Sequence, residues 1–595
     1  MKKLILLFTI LITVISCKNE PDKISDNLNI AGENFNKMLD EYNEEELKLN
    51  PMNATFKGDK RYNNSFPNFL SNEYQNKSKT HYTSFLNRLN EFKNSDLTDS
   101  EIMSKNILKW ECEINLKGLT FRRDFFPIDQ MWSINLILGQ FASGASAQPF
   151  KTVEDYQNWL QRIDEYLIWL KTAETRMREG MSLGYVLPKS LIIKIIPQFE
   201  SLSNIDLNTH LFFSPIKILP NSFSEENKIA LTEAYTQMVQ NKIIPAHKEM
   251  LNFLSNEYLE KGRESSGIST IPNGKDFYNF QIRKYTTTNM TANEIHQLGL
   301  NEVARILVEM KKVKDEVGYN GNLKSFFDDV RTKKELLPFT ERQQVIDNFY
   351  AIHERMKPQL EKLFNVVPKS KFEVRRTEEF REKSSSAEYN QASLDGSRPG
   401  IFYVPIPDVN AYNTFMDEAL YLHEAIPGHH YQISLQQENS DLPNFRKTLW
   451  YSGYGEGWAL YTESLGKELG LYTDPYQYFG MLSKEMHRAI RLVVDTGLHS
   501  KGWTREQAIQ YSMDNEADSE ASITSKIERY MANPGQALSY KIGQLKIREL
   551  RLKATNELGS NFNIQQFHNQ VLETGCVPLA ILEDKINAWI EENKN

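Results

Sequence analysis

Cysteine is scarce in this sequence, and this excludes a fold that depends on disulfide bridges. The 595 residues contain only three cysteines, Cys17, Cys112 and Cys576. A disulfide scaffold needs several cysteines within a short chain. We therefore predict that Cys112 and Cys576 are buried free thiols.

An excess of positive charge is also missing. Lysine and arginine number 70, aspartate and glutamate number 78, and the formal net charge is −8. Proteins that bind nucleic acid usually carry a basic face, because they must neutralise phosphates. The two signs of charge are well mixed here, so we predict no nucleic-acid partner.

Long apolar runs are absent after the first few residues. Leu4–Ile15 is almost wholly apolar and follows two lysines, Lys2 and Lys3. This run is too short for a transmembrane helix but typical of a signal peptide. We predict that residues 1–16 are a signal peptide and that no later segment crosses a membrane.

The end of the predicted signal peptide resembles a bacterial lipobox. The letters V-I-S-C end at Cys17, which we predict to be acylated after cleavage. Residues 17–28 would then be the lipidated cysteine and a polar tether. Lys18 and Asn19 replace the aspartate that often retains lipoproteins in the inner membrane. We therefore expect a cell-envelope lipoprotein, anchored in the outer membrane and facing the periplasm or the cell surface.

Helical periodicity dominates the rest of the chain. Apolar residues recur at spacings of three and four between Tyr156 and Leu170, as on one face of a helix. Thr291 and Glu294 have the spacing of a capping box ahead of another apolar stripe. These patterns predict a mainly α fold.

Residues 29–595 are predicted to form one helical catalytic domain, with two lobes at about 29–270 and 271–595. One strand candidate interrupts the helices. Ile401–Val404 is an apolar, β-prone run that follows a turn-rich stretch. We predict that a helix begins near Ala411 and leads into the most informative residues of the chain.

Three of the eleven histidines lie within residues 423–430, which read H-E-A-I-P-G-H-H. Histidine is the commonest metal ligand. In the zincin pattern H-E-x-x-H, two histidines one helical turn apart bind one zinc ion. The glutamate between them activates the zinc-bound water. This comparison makes His423 a zinc ligand and Glu424 the general base.

The position of the second histidine ligand depends on a break in the helix. Pro427 occupies the position four residues after His423, where it cannot donate the helical hydrogen bond. If two residues loop out within Ala425–Gly428, His429 takes the ligand position. If three loop out, His430 takes it instead. We prefer His429.

A third protein ligand is expected, because catalytic zinc commonly has three. Residues 454–463 read Y-G-E-G-W-A-L-Y-T-E, with Glu456 and Glu463 two helical turns apart. Because two turns separate them, we do not expect both carboxylates to bind one ion. We choose Glu456, because Gly455 and Gly457 leave room for a close approach, and Glu463 stays an alternative that could instead support the ligands.

Four motifs together resemble the bacterial family named domain of unknown function 885. They are H-E-A-I-P-G-H-H-Y-Q, E-G-W-A-L-Y-T-E, R-L-V-V-D-T-G-L-H from Arg491 to His499, and P-G-Q-A-L-S-Y from Pro534 to Tyr540. That family is similar to gluzincin metallopeptidases such as thimet oligopeptidase and angiotensin-converting enzyme. The resemblance implies a large helical peptidase-like fold with a deep active-site cleft and a small β element next to the zinc helix.

The resemblance also implies roles for individual residues. Tyr540 matches a late tyrosine that stabilises the oxyanion. The strand Ile401–Val404, with Tyr403, matches a strand that pairs with the substrate backbone by edge addition. His430 is a candidate for a substrate contact. Asp495 and His499 could contact substrate or belong to a hydrogen-bond network at the end of a helix.

The sequence therefore predicts a zinc metallopeptidase that hydrolyses exported or periplasmic peptides. One alternative is a lipid-anchored binding protein that has lost catalysis, although Glu424 argues against it. Another is a metal-dependent amidase that acts on a non-peptide or cell-wall amide. Residues 180–184 match the G-x-S-x-G motif of serine hydrolases, but they follow a long helix instead of a strand, so we reject that reading.

Overall fold

The computed structural model describes residues 21–144, 146–382, 385–394, 396 and 398–594. The predicted signal peptide and the lipidation site Cys17 lie outside these residues. Within the described ranges, no helix is both long and apolar enough to cross a membrane. Cys112 and Cys576 are buried and unpaired, which confirms the prediction of free thiols.

Helices make up most of the structure, which confirms the predicted mainly α class. The helices of the N-terminal half are α1 (Pro21–Leu49), α2 (Pro51–Lys57), α3 (Asn72–Leu89), α4 (Asp99–Gly118), α5 (Ile134–Ala142), α6 (Val153–Leu183), α7 (Lys189–Leu202), α8 (Ser214–Lys217), α9 (Glu225–Met238), α10 (Ile244–Phe253), α11 (Leu259–Lys261), α12 (Gly274–Thr286) and α13 (Ala292–Glu316). Those of the C-terminal half are α14 (Leu323–Thr332), α15 (Arg342–Leu363), α16 (Glu379–Glu382), α17 (Asp417–Glu424), α18 (His429–Glu438), α19 (Ser452–Glu463), α20 (Pro475–Ser500), α21 (Arg505–Asn515), α22 (Glu520–Ala532), α23 (Ser539–Leu558), α24 (Ile564–Leu572) and α25 (Leu579–Glu592).

Local sequence signals set several helix ends. The backbone N–H of Glu294 donates to the Thr291 hydroxyl at 3.3 Å, and the Glu294 carboxylate accepts from the Thr291 N–H at 2.8 Å. This capping box starts α13 as predicted. Helix α6 ends at Gly184, whose φ is +81°, in the left-handed region that favours glycine. The G-x-S-x-G match therefore lies at the end of a helix, as the sequence indicated.

The prediction of a helix beginning near Ala411 is wrong. Val409–Ala411 is a short 3₁₀ turn, and α17 begins only at Asp417. The side chain of Asn413 accepts a hydrogen bond from the N–H of Phe415 at 3.1 Å and donates to a carbonyl at the end of α14 at 2.8 Å. Such side-chain bonds to the backbone compete with helix formation, which explains the later start.

A three-stranded sheet is the small β element. It contains β1 (Phe372–Arg376), β2 (Glu388–Asn390) and β3 (Gly400–Val404), in the order β1-β3-β2. Strand β3 pairs in parallel with β1 and antiparallel with β2, so Tyr403 is opposite Arg375 on one side and Glu388 on the other. The prediction that Ile401–Val404 offers a free edge to a substrate is therefore wrong, because both of its edges are already paired.

Two hydrophobic cores organise the described residues. One includes buried side chains from Phe66 to Tyr258. The other joins Phe35–Ile114 to the region from Ile268 to Ile590. Helices α1, α3 and α4 thus pack with the C-terminal half, whereas a division near residue 270 would place them with the N-terminal half. The predicted site lies entirely in the C-terminal part of the larger core.

Helix α19 crosses α23 at very close range in this core. A Cβ atom on Gly543 would lie 1.7 Å from the carbonyl oxygen of Gly453, and one on Gly457 would lie 2.5 Å from the Cα of Gly543. Only glycine permits such an approach of two backbones. The crossing fixes the position of α19, which carries both candidate carboxylate ligands.

Candidate metal centre

The H-E-A-I-P-G-H-H segment forms two helices with a tight turn between them, instead of one bulged helix. Helix α17 ends at Glu424, the Ile426–Pro427 peptide is cis, and α18 begins at His429. A Cβ atom on Gly428 would lie 2.0 Å from the carbonyl oxygen of His423. The turn therefore folds back onto the end of α17, and this close contact brings the two histidines together.

Neighbouring side chains hold this turn from α19. The indole N–H of Trp458 donates to the carbonyl of Pro427 at 2.8 Å. The hydroxyl of Thr462 donates to the carbonyl of Leu422 at 2.8 Å. Both donors are completely buried. Because a buried carbonyl needs a hydrogen-bond partner, these contacts fix the turn relative to the helix that carries Glu456.

His423, His429 and Glu456 come together as the sequence predicted. One donor atom from each residue lies within 4.8 Å of the others. The Oε2 atom of Glu456 is 3.6 Å from Nε2 of His423 and 3.4 Å from Nε2 of His429. Ligands of a tetrahedral zinc ion with bonds of 2.0–2.1 Å lie about 3.4 Å apart. The two measured spacings therefore fit one small ion.

The electrostatics of the triad reflect its burial. Burial by itself would raise the pKa of the Glu456 carboxyl. The hydrogen bonds and charges of the His423 and His429 imidazoles have the larger effect and hold that pKa well below its usual range. Burial also opposes a charged His429, whereas Glu456 raises the pKa of that ring above its ordinary value. The Nδ1 atom of His429 is buried and has no hydrogen-bond partner among the residues that the structure describes. Two imidazoles and an ionised carboxylate are a typical zinc donor set.

Glu463 lies behind the triad and does not reach its centre. Its Oε1 atom is 2.8 Å from Nδ1 of His423, on the side of the ring that faces away from Glu456. Lys484 of α20 approaches the same oxygen at 3.7 Å. Burial disfavours the charge of Glu463, but Lys484 and His423 lower its carboxyl pKa below the usual value. A carboxylate in this position orients a metal-ligating imidazole.

Glu424 is the last residue of α17 and follows His423 directly. It is 8% exposed, so it is close to the surface of the site without being freely solvated. Its charge is near enough to influence the pKa of both His429 and Lys484. Glu424 is thus within electrostatic range of His429, the region in which a base beside a metal ion would act.

His430 points away from the triad. Its Nδ1 atom is 2.9 Å from the hydroxyl of Tyr389, and its ring centroid is 4.8 Å from that of Phe372. Burial lowers the pKa of His430 to about 4, so the ring is neutral. The geometry therefore favours His429 over His430 as the second ligand. A substrate contact through His430, which is only 2% exposed, stays a prediction that this burial does not favour.

Comparison with known proteins now adds to this geometry. The profile of a family of bacterial proteins of unknown function, DUF885, matches residues 51–586. The chain belongs to the DUF885 family. This confirms the resemblance seen in the sequence motifs, whereas the similarity of the family to gluzincin peptidases stays a prediction. No curated protein matches the sequence.

Two solved structures share the fold of this DUF885 protein. A candidate lipoprotein from Colwellia psychrerythraea is 26% identical, with a TM-score of 0.86 over 94% of this chain and 99% of the other. A candidate lipoprotein of unknown function from Shewanella oneidensis is 18% identical, with a TM-score of 0.72 over 92% of this chain and 99% of the other. The second likeness concerns the fold alone.

Tyr540 of the DUF885 protein lies beside Arg491. The guanidinium carbon of Arg491 is 4.5 Å from the centroid of the Tyr540 ring. Arg491 also donates to the hydroxyl of Tyr530 and to Nε2 of His487, each at 3.1 Å. Its third nitrogen is buried and has no hydrogen-bond partner in the described part of the chain. The charge of Arg491 is close enough to interact with Glu456. Tyr540 therefore packs on an arginine whose charge interacts with the triad, and its side chain is half-buried.

Asp495 and His499 serve the packing of α20. Asp495 accepts hydrogen bonds from the Tyr278 hydroxyl at 2.6 Å and from the N–H of Gly535 at 3.1 Å. His499 accepts from the N–H of Ile268 at 3.0 Å. Both side chains are completely buried. These contacts support the alternative in which Asp495 and His499 belong to a hydrogen-bond network.

Lys484 and Arg491 are the residues near the site that sequence reasoning missed. They are seven residues apart on α20, and thus on the same face of that helix. A row of basic residues at spacings of three and four, which also includes His487 and Arg488, was the available signal. They were not recognisable as parts of the site because they lie far from the histidines in the sequence.

Proposed function

We propose that this DUF885 protein is a zinc-dependent peptidase that hydrolyses exported or periplasmic peptides. The observation that carries the proposal is that His423, His429 and Glu456 each bring a donor atom within 4.8 Å of the others. The distances of 3.6 Å and 3.4 Å from Oε2 of Glu456 to the two imidazoles are close to the ligand spacing in a tetrahedral zinc site. Structural zinc sites are usually closed by four protein ligands, whereas catalytic sites have three. A set of three with an adjacent glutamate favours catalysis.

The donor set fits zinc on chemical grounds. Two neutral imidazole nitrogens and one carboxylate oxygen suit zinc better than calcium or magnesium, which prefer oxygen ligands. Glu463 supports His423 from behind, as the outer partner of a metal-ligating histidine does. When bound, zinc would act as a Lewis acid that makes water more acidic and polarises the peptide carbonyl.

The protein side chains would then carry the proton transfers. Glu424 takes a proton from the attacking water and later delivers it to the nitrogen of the leaving amine. Tyr540 donates a hydrogen bond to the carbonyl oxygen as negative charge develops there. Arg491, packed on the ring of Tyr540, would hold that phenol in place.

We also propose that the chain is a lipoprotein of the cell envelope, anchored at Cys17 in the outer membrane. The lipobox-like sequence before Cys17 supports the anchor. The 26% identical protein from Colwellia psychrerythraea, described as a candidate lipoprotein, supports it independently. An envelope location would bring the site into contact with exported peptides.

The test of the peptidase proposal is the Glu424→Gln variant. Glutamine preserves the size and hydrogen-bonding capacity of the side chain but cannot accept the proton. We expect zinc content to stay at the wild-type level, while turnover of a peptide library, read by mass spectrometry, falls by about 10² to 10⁴. Glu233→Gln, an exposed position on α9, is the matched control and should keep wild-type turnover.

Two results would contradict the proposal. Wild-type turnover by Glu424→Gln would show that the chemistry does not use this base. Wild-type protein that binds zinc but cleaves no peptide would favour the binding-protein alternative, or the amidase alternative if it cleaves cell-wall amides.

A further inference from the structure

A cavity of about 800 Å³ lies between the two hydrophobic cores. Its walls include Leu70 and Ile128 of one core and Phe277 and Phe280 of the other. Its volume is within the range of 300–1,000 Å³ typical of small-ligand sites. None of the triad residues lines it, so it is a separate feature of the described structure.

Two cations line this cavity without an ionic partner. Lys284 on α12 and Arg123, just before the loop that leads to α5, make no side-chain hydrogen bond or ion pair with any described residue. The other charged residues of the wall have partners. The Asp129 carboxylate accepts hydrogen bonds from the N–H groups of Met131 and Trp132, each at 2.6 Å. Asp124 pairs with Arg122 at 2.8 Å, and Arg263 donates to backbone carbonyls.

The environment of Lys284 makes its lack of a partner costly. Its ammonium group is 5.7 Å from the centroid of the Tyr285 ring. Burial, followed by the nearby charge of Arg123, lowers the pKa of Lys284 to about 8, although Glu111 opposes this shift. A charge that is removed from water without a partner is unfavourable, and an anion in the cavity would relieve the cost.

Two residues of the cavity wall, Tyr285 and Gln536, are next to elements of the metal centre. The carbonyl oxygen of Tyr285, at the end of α12, would lie 3.3 Å from a Cβ atom on Gly453, one helical turn before Glu456. Gln536 lines the cavity and lies one turn before Tyr540. The end of a chain held in the cavity would thus be close to the segments that carry the proposed chemistry.

We infer that Lys284 and Arg123 bind the free C-terminal carboxylate of the substrate peptide in this cavity. The inference rests on the proposed peptidase function and names its substrate class, peptides with an unblocked C-terminus. The aromatic walls suit apolar side chains next to that carboxylate. A charge-assisted hydrogen bond from each cation to the carboxylate would make the preference for a free C-terminus strong.

The experiment compares one pool of random hexapeptides in two forms, with a free C-terminal carboxylate and with a C-terminal amide. Binding is measured by equilibrium dialysis and mass spectrometry on zinc-loaded Glu424→Gln protein, which leaves the peptides intact. We expect the free acids to bind about 10- to 100-fold more tightly than the amides. Lys284→Met and Arg123→Met should each remove most of this preference.

Lys275→Met is the matched control, because Lys275 is an exposed lysine on the same helix and does not line the cavity. It should retain the full preference for free acids. Arg123 is exposed, so its variant tests the inference even if Lys284→Met does not fold. Equal binding of acids and amides, or a preference that survives the double variant, overturns the inference.

Cleavage by the wild-type protein separates this inference from the proposed function. If acids bind preferentially but neither pool is cleaved, the carboxylate site stands and the peptidase proposal fails. If both pools are cleaved equally, the peptidase proposal stands and the carboxylate site is refuted.

Discussion

Replacing Gly428 by alanine probes the turn that creates the candidate metal centre. The φ of Gly428 is −75°, so the backbone angle φ itself is open to alanine. The obstacle is space. The added Cβ atom would lie 2.0 Å from the carbonyl oxygen of His423 and 2.3 Å from that of Leu422. Both are backbone atoms, so neither can turn aside as a flexible side chain would.

The size of the effect follows from these distances. A carbon and a carbonyl oxygen in normal contact lie roughly 3.3 Å apart. The methyl group must therefore push the end of α17 away by about 1.3 Å. Overpacking of this kind costs about 1–3 kcal/mol of stability. Because His423 belongs to the displaced segment, a shift of about 1 Å should also lower turnover by roughly 10²-fold.

The assay measures zinc content after dialysis against a graded series of chelator concentrations, together with peptide turnover and thermal unfolding. Gly428→Ala should lose zinc at lower chelator concentrations than the wild type and unfold at a lower temperature. Gly32→Ala is the matched control, because its Cβ would meet only the end of the Glu101 side chain. Alanine also favours the helix α1 there. Unchanged zinc retention in Gly428→Ala would refute the link between this turn and the metal site.

Three further changes test other parts of the structure. Glu456→Ala should abolish zinc binding, while Glu463→Ala, which keeps all three donors, should weaken it by about 10- to 100-fold; metal analysis showing the reverse order would exchange their roles. Cys17→Ser should remove the lipid mass from the N-terminal peptide and release the protein from membranes. Burial raises the pKa of Asp417 to about 8, above an unfolded value of about 3.9. Its contribution to stability is therefore full below about pH 4 and is lost as the pH rises to about 8. Urea unfolding at pH 5 and pH 8 tests this: the free energy of unfolding of Asp417→Asn should fall less between these pH values than that of the wild type. An equal fall in both proteins would contradict the prediction.

Much of the fold was already determined by local sequence patterns. The spacing of apolar residues gave α6, and the pair Thr291 and Glu294 gave the start of α13, because helix periodicity and capping depend on neighbouring residues. The start of α17 was predicted wrongly because it depends on a contact that is not local. The side chain of Asn413 bonds to a carbonyl of α14, which is distant in the sequence.

The sequence by itself also determined which residues were candidates for the metal site, since His423, Glu424 and the following histidines are adjacent in the chain. Only the tertiary structure shows that His429, and not His430, lies beside His423 and Glu456, because this depends on how closely Gly428 packs against α17. It likewise separated Glu456 from Glu463, which lie on opposite sides of the His423 ring.

Contacts between residues that are far apart in the sequence were revealed only by the tertiary structure. The position of β3 between two other strands is a pairing of distant segments, which the apolar run Ile401–Val404 does not encode by itself. Lys284 and Arg123 line one cavity between two cores, although they are more than one hundred residues apart in the chain. A sequence specifies the character of each side chain locally, whereas long-range packing decides which of those side chains share a site and which are left without a partner.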